Sequence, residues 1–344
     1  MTRLASSATS TLRAEMIRRV AERPIARYPD LRRAPAIRLG MNASQCDCLR
    51  MFNPTNAARI LPWLCLWFAG LGGMVAVLGR SAVFAMWNDA AAATLYSTPH
   101  VPDELTRFAA FGDGVLGGTI IGKWVAAWWL AAGPARRRVR WAVDALLAGL
   151  VVWFVVDSAA SIRAGAIFNV WMINVVPLVG VGPLLLLVRS DCQPSPTGAT
   201  AKAWKPLEVS CWAIAVAGAA IAALGTSEVL LPFYAPIEAA FGGDGGVSRA
   251  VWLPWLGFVF GPVGGTIAGH FVMLALLCRR AAPPTHSEAD WARWALRVVW
   301  TSVAAWFVVN SAMSLVHGAA FNVWMINVPA VVALAIPTWW ALRR

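Results

Sequence analysis

The sequence is short of charge. Only 13% of its 344 residues are Asp, Glu, Lys or Arg, against 59% hydrophobic, and the mean hydropathy is +0.61. A soluble domain carries about 25% charged residues. Polar interruptions are equally scarce, so runs long enough to cross about 30 Å of hydrocarbon recur along the chain. In lipid such runs must satisfy their own backbone N–H and C=O groups, which makes them helices. The short alternating segments of a membrane β-barrel are absent.

Acids are scarcer than bases, and the formal net charge is +12. Ten arginines fall within residues 1–57 against Glu15, Glu22, Asp30 and Asp47, and the remaining excess sits in short loops between apolar runs. That is the positive-inside pattern of a membrane protein, and it argues against a nucleic-acid partner. Catalytic signatures are missing too. The four histidines, His100, His270, His286 and His317, form no HExxH, and there is no paired-carboxylate pattern, P-loop, GxSxG elbow or nucleotide fingerprint. Cys46, Cys48, Cys65, Cys192, Cys211 and Cys278 lack zinc or redox spacing and read as unpaired thiols. Neither a metal nor a cofactor is expected, and the balance points away from an enzyme.

Residues 1–57 contain no continuous apolar run and so no secretory signal. The first 40, rich in Arg and poor in acids, superficially resemble an organellar transit peptide. A disordered basic tail, or sequence lying upstream of a start at Met41 or Met51, accounts for them more simply. Little ordered structure is expected before Asn56.

What the chain does contain is a repeat. Phe154–Val175 reads FVVDSAASIRAGAIFNVWMINV and Phe307–Val328 reads FVVNSAMSLVHGAAFNVWMINV, identical at sixteen of 22 positions. Upstream, GGTIIGK at Gly117–Lys123 matches GGTIAGH at Gly264–His270, with a six-residue insertion in the second copy near 281–290. Two tandem four-helix units are therefore expected at 58–190 and 206–344, joined by a linker at 191–205 and preceded by the 1–57 extension. Helices are predicted at 59–79, 107–132, 140–163 and 167–188, then at 207–225, 253–278, 293–316 and 319–340. The long connections 80–106 and 226–252 have room for short interfacial helices. The fold class is thus all-α, polytopic, with about eight transmembrane helices as two parallel four-helix repeats.

Loop charge orients this arrangement. Arg136, Arg137, Arg138 and Arg140, the linker's Arg189, Lys202 and Lys205, then Arg279, Arg280, Arg343 and Arg344 share one side, which places both termini in the cytoplasm. Asp89, Asp103, Glu104, Glu228, Glu238 and Asp244 lie on the other. An even number of spans per copy inserts both copies in the same sense, related by a pseudo-two-fold axis along the membrane normal. Trp63, Trp87, Trp141, Trp204, Trp252, Trp291, Trp339 and Trp340 are placed to form interfacial belts. The pattern WFVVDSAASIRAGAIFNV, with the preceding GxxGGTIIGKW, resembles an uncharacterised bacterial family of short four-helix integral membrane proteins. The resemblance implies the four-helix fold and a bacterial inner (plasma) membrane, and nothing about activity.

Two sets of residues stand out. Gly114, Gly118, Gly122 and Gly261, Gly265, Gly269 recur every fourth position on the second helix of each copy, a face for close helix packing. Helix 3 or 4 of the same copy is the expected partner. Asp157, Ser158 and Ser161 on helix 3, with Asn310, Ser311 and Ser314 at the matching positions, form a candidate ligand-binding set. Asp113, Asn169 and Asn322 lie at similar depth, and His317 at the adjoining turn. An ionisable side chain inside a span is a functional hypothesis by default. Asn169 and Asn174 (Asn322 and Asn327) are five apart, so in an α-helix they diverge by about 140° and cannot share one pocket. Trp171 and Trp324 are expected to pack rather than to bind a cofactor. Asp144 and Arg297 are expected to pair across the halves. A lipid-embedded small-molecule or ion transporter or binding protein, or a non-catalytic structural or accessory subunit, are the two functions these features allow.

Overall fold

The computed structural model describes residues 53–192, 204–242, 248–279 and 288–343. The expectations about the N-terminal extension, Cys46, Cys48 and the insertion lie outside those residues, as does most of the linker. Among the described residues every regular element is a helix.

Eight helices among the described residues are long and apolar enough to cross a membrane, in agreement with the expected spans to within a few residues at most ends. The first set comprises α1 (Pro54–Leu78), α3 (Thr106–Leu130), α4 (Arg140–Arg163) and α5, spanning Ile167–Ser190. Between α1 and α3 lies the short α2 (Ala85–Tyr96). The later spans are α6 (Lys205–Leu224), α8 (Arg249–Cys278), α9 (Glu288–Val316) and α10, spanning Ala320–Leu342, with the short α7 (Leu231–Phe241) after α6. Helix boundaries follow local chemistry. Asn53 caps α1 by accepting from the Asn56 N–H at 2.8 Å, with Pro54 at the first helical position, where its missing N–H costs nothing. The α4–α5 and α9–α10 turns pass through Gly165 (φ +74°) and Gly318 (φ +77°), a left-handed conformation that other residues adopt at a cost.

Two helices form the centre. In α8 83% of the apolar window is buried and in α3 61%, against 28% in α10 and 39% in α1. The α3 and α8 helices pack on each other, and each packs outward against two more, α3 against α1 and α9, and α8 against α6 and α4. Glycine makes these approaches possible. A Cβ on Gly118 would lie 2.9 Å from the Asn310 backbone nitrogen, one on Gly114 2.5 Å from Met313 Cβ, and one on Gly122 2.7 Å from Trp306 Cβ. Likewise Gly261 meets Ala160, Gly265 meets Asp157 and Gly269 meets Trp153. The partner of each glycine face is therefore not helix 3 or 4 of its own four-span set but the third span of the other set. The same-set neighbour, α1 or α6, takes the adjacent face, through Gly117 against Gly72 and Gly264 against Gly218. Sequence spacing reveals that such a face exists; it does not reveal which of several apolar helices fills it.

Polar ties mark the two ends. Arg138 donates to Thr55 Oγ1 (2.7 Å) and pairs with Asp191 (2.7 Å), gathering the start of α1, the α3–α4 loop and the end of α5 at one end. At the opposite end Arg163 Nη2 donates to the Ala222 carbonyl (2.5 Å) and Arg107 Nε to the His317 carbonyl (2.9 Å), so the first set of spans caps the ends of two helices of the later set. Asp144 pairs with Arg189 (2.6 Å) at the end of α5 and lies 3.9 Å from Arg140 one turn back on α4, so its partners come from its own set of spans and not from Arg297. Trp63, Trp339 and Trp340 are exposed as belts require, whereas Trp87, Trp141, Trp252 and Trp291 are buried against other aromatic rings. Cys65, Cys192, Cys211 and Cys278 are free thiols.

Candidate functional site

The α5 and α10 helices are not uniform. Each is interrupted by a π-helical turn, Val170–Asn174 and Val323–Asn327, within the FNVWMIN segment. The i→i+5 hydrogen bond of a π turn brings residues five apart nearly into register, where an α-helix would splay them by about 140°. Asn169 and Asn174 therefore both face α4, contrary to the α-helical expectation. Asn169 Nδ2 donates to Asp157 Oδ1 and to Ser161 Oγ (both 3.0 Å), and Asn174 Nδ2 to Ser158 Oγ (3.1 Å). Ser161 Oγ also donates to Asp157 Oδ1 at 3.0 Å. The same turn swings Trp171 and Trp324 outward, where they are 67% and 68% exposed.

Beside this network lies a chamber of about 110 Å³ walled by α1, α2, α3, α4 and α5, with Pro262 and Thr266 of α8 closing the side. Asp113, Asp157 and Asn169 all line it, which brings together three of the residues expected to cluster. Two cations share the region. Arg80, just past α1, donates from Nε to Asp113 Oδ2 at 2.6 Å, and its guanidinium lies 4.6 Å from the Trp255 ring. Lys123 lines the chamber about 15 Å further along α3 from Asp113. It is 2% exposed, and its ammonium sits 3.7 Å over the Trp153 ring. Among the described residues, Lys123 Nζ, Asp113 Oδ1, Arg80 Nη2 and Thr266 Oγ1 are buried with no hydrogen-bond partner. The wall between α1 and α5 is apolar, made by Leu71, Val75, Met172, Ile173 and Val176, the last 48% exposed.

No protein-family model, curated protein or solved structure matches the chain. Its chemistry is read from the site alone.

The remaining expected residues form a second group. Asn310 Oδ1 accepts from Asn322 Nδ2 (2.8 Å) and Asn327 Nδ2 (3.0 Å), Ser311 Oγ accepts from Asn327 (3.0 Å), and Ser314 Oγ accepts from Asn322 (2.9 Å). Asn310 and Asn322 line a separate cavity, so the expected polar residues do not make one cluster but two. His317 joins neither. It lies at the α9–α10 turn, offering its carbonyl to Arg107, and burial, followed by the nearby Arg107 guanidinium, holds its imidazole below the usual histidine range. No group of three His, Cys, Asp or Glu residues that could hold a metal occurs among the described residues.

Lys123 and Arg80 were not among the expected site residues, although each carried a signal. Lys123 is an isolated cation within an apolar helix, and Arg80 follows the glycine that ends α1. At the matching positions the later spans have His270 and Thr226. His270 is satisfied by Ser302 Oγ at 3.1 Å, while the position matching Ser302 is Gly149, which has no side chain to offer Lys123.

Proposed function

We propose that the protein binds a small polar solute within the membrane, as a small-molecule or ion transporter or a membrane-embedded binding protein, and that the chamber holding Lys123 and Asp157 is its site. On this reading the chain is a tandem duplication of one four-helix unit, inserted twice in the same sense, with both termini in the cytoplasm of a bacterial inner membrane. The single observation that carries the proposal is the buried Lys123 ammonium without a hydrogen-bond partner on the wall of a chamber. A cation desolvated in this way costs stability unless something completes its coordination. Asp113 Oδ1 and Thr266 Oγ1 are left in the same condition around the same space. Lys123 and Arg80 set opposite Asp113 and Asp157 suit a solute that carries an acceptor group for Lys123 and a donor group for the carboxyl groups.

A structural or accessory role draws support from the Ser158–Asn174 and Ser161–Asn169 bonds, which are closed within the protein. The two readings part in one experiment. Thermal unfolding of the purified protein is measured with acetate, phosphate, alanine and ethanolamine, for wild type, Lys123→Met and Asp157→Asn. Saturable stabilisation by one of these probes, lost in both variants, is the expected result. Folded variants that respond as wild type does, or a wild type that responds to no probe, would leave the structural role.

A further inference from the structure

The later spans enclose a chamber of their own, of about 130 Å³, lined by α3, α6, α7, α8, α9 and α10. Its surroundings repeat those of the charged chamber with the charges taken out. Phe260 stands at the position matching Asp113, Asn310 at that of Asp157, and Thr226 at that of Arg80. The lining includes Phe108, Phe111, Trp255, Phe260, Trp306 and Phe321, and among the described residues no Asp, Glu, Lys or Arg. Two of these carry unspent donors. Trp255 Nε1 and Trp306 Nε1 are buried with no hydrogen-bond partner among the described residues. A buried indole N–H usually finds an acceptor.

We propose that this second chamber is a binding site for a neutral, ring-sized molecule that carries a hydrogen-bond acceptor. Three observations converge on that class. An ion entering here would lose its hydration with no opposite charge in the lining to replace it. Aromatic walls favour a flat or alicyclic body, and the volume is close to the ~150 Å³ that admits benzene. The indole groups donate and never accept, so a carbonyl or ether oxygen is what they lack. The two chambers share no lining residue and take different chemistry, although the Arg80 guanidinium that pairs with Asp113 also lies 4.6 Å from the Trp255 ring.

The probes are acetophenone (neutral ring, acceptor), ethylbenzene (the same shape without the acceptor) and benzoate (the same ring, charged). Binding to the purified full-length protein is followed as saturable quenching of tryptophan fluorescence and as a shift in unfolding midpoint. Val263→Phe fills the chamber from its α8 wall, and Trp306→Phe removes one N–H without breaking a hydrogen bond present now. Acetophenone is expected to bind saturably, more tightly than ethylbenzene, with benzoate ineffective. Val263→Phe should weaken acetophenone at least about tenfold, as overpacking of a filled space implies. Trp306→Phe should weaken acetophenone by about fivefold, the worth of one hydrogen bond, and leave ethylbenzene unchanged. The proposal is overturned if acetophenone shows no saturable binding, if benzoate binds as well, or if Trp306→Phe weakens both neutral probes alike. Should Val263→Phe fail to fold, Trp306→Phe decides. Different probes and variants read the two chambers, so failure at one does not touch the other.

Discussion

Replacing Lys123 by Met should make the protein more stable, and the size of the gain measures what the buried cation costs. Lysine at the centre of a membrane helix is disfavoured by roughly 2.5–3.5 kcal/mol on insertion scales. In the folded protein the Trp153 ring, 3.7 Å from the ammonium, returns about 0.5–2 kcal/mol. No hydrogen bond offsets the remainder among the described residues. In the unfolded membrane state the long side chain can snorkel toward headgroups, so the cost falls mainly on the folded state. Met has nearly the same reach and packs against indole, and the net expectation is a gain of about 1–3 kcal/mol. Reversible unfolding in mixed micelles, followed by tryptophan fluorescence, reads this directly. A variant less stable than wild type by more than about 1 kcal/mol would mean that the ammonium is already satisfied. The argument that it is retained for a ligand would then fail.

Other consequences follow from the packing and the charges. Gly265→Leu should destabilise by about 1–3 kcal/mol, because its Cβ would lie 2.9 Å from the Asp157 backbone nitrogen, while Gly180→Leu, with open space around it, should be neutral; the same unfolding assay compares them. Asp113→Leu should cost about 3–5 kcal/mol by stranding Arg80 in a largely buried position, and the double variant Arg80→Leu/Asp113→Leu should recover most of that loss, as a double-mutant cycle with Arg80→Leu will report. For His317 the folded imidazole is held below its unfolded value, so its contribution to stability is complete above about pH 6.5 and declines as the pH falls. His317→Gln should flatten that part of a pH–stability profile between pH 7 and 5, and an unchanged slope would remove histidine as its cause.

Much of this architecture was legible because hydrophobicity and small-residue spacing are local properties. Spans end where apolar runs end, and Asp157 announces itself by being charged inside one. The unread part depended on relations between distant segments. Nothing within α3 distinguishes α9 from α4 as the helix that fills Gly118. The π turns escaped because VWMIN holds no Gly or Pro to mark a break in an apolar helical run, and the extra residue is taken up by hydrogen bonds that Asn169 and Asn174 make to another helix. The division of the polar residues into two chambers follows from both effects together. Asp113 was counted with the site, but its arginine lies in a connection whose course the pattern does not specify.

The way α3 and α9 meet has a bearing on biogenesis. Gly118 finds its complement at Asn310, near the end of the chain, so α3 leaves the ribosome with one of its two glycine faces matched by α1 and the other still turned to lipid. Until α8 and α9 arrive, that surface is available to any other helix with small side chains. A chain truncated after α5 should therefore insert yet remain unassembled, a substrate for membrane proteases, while the same fragment supplied with residues 204–344 from a second message should be rescued.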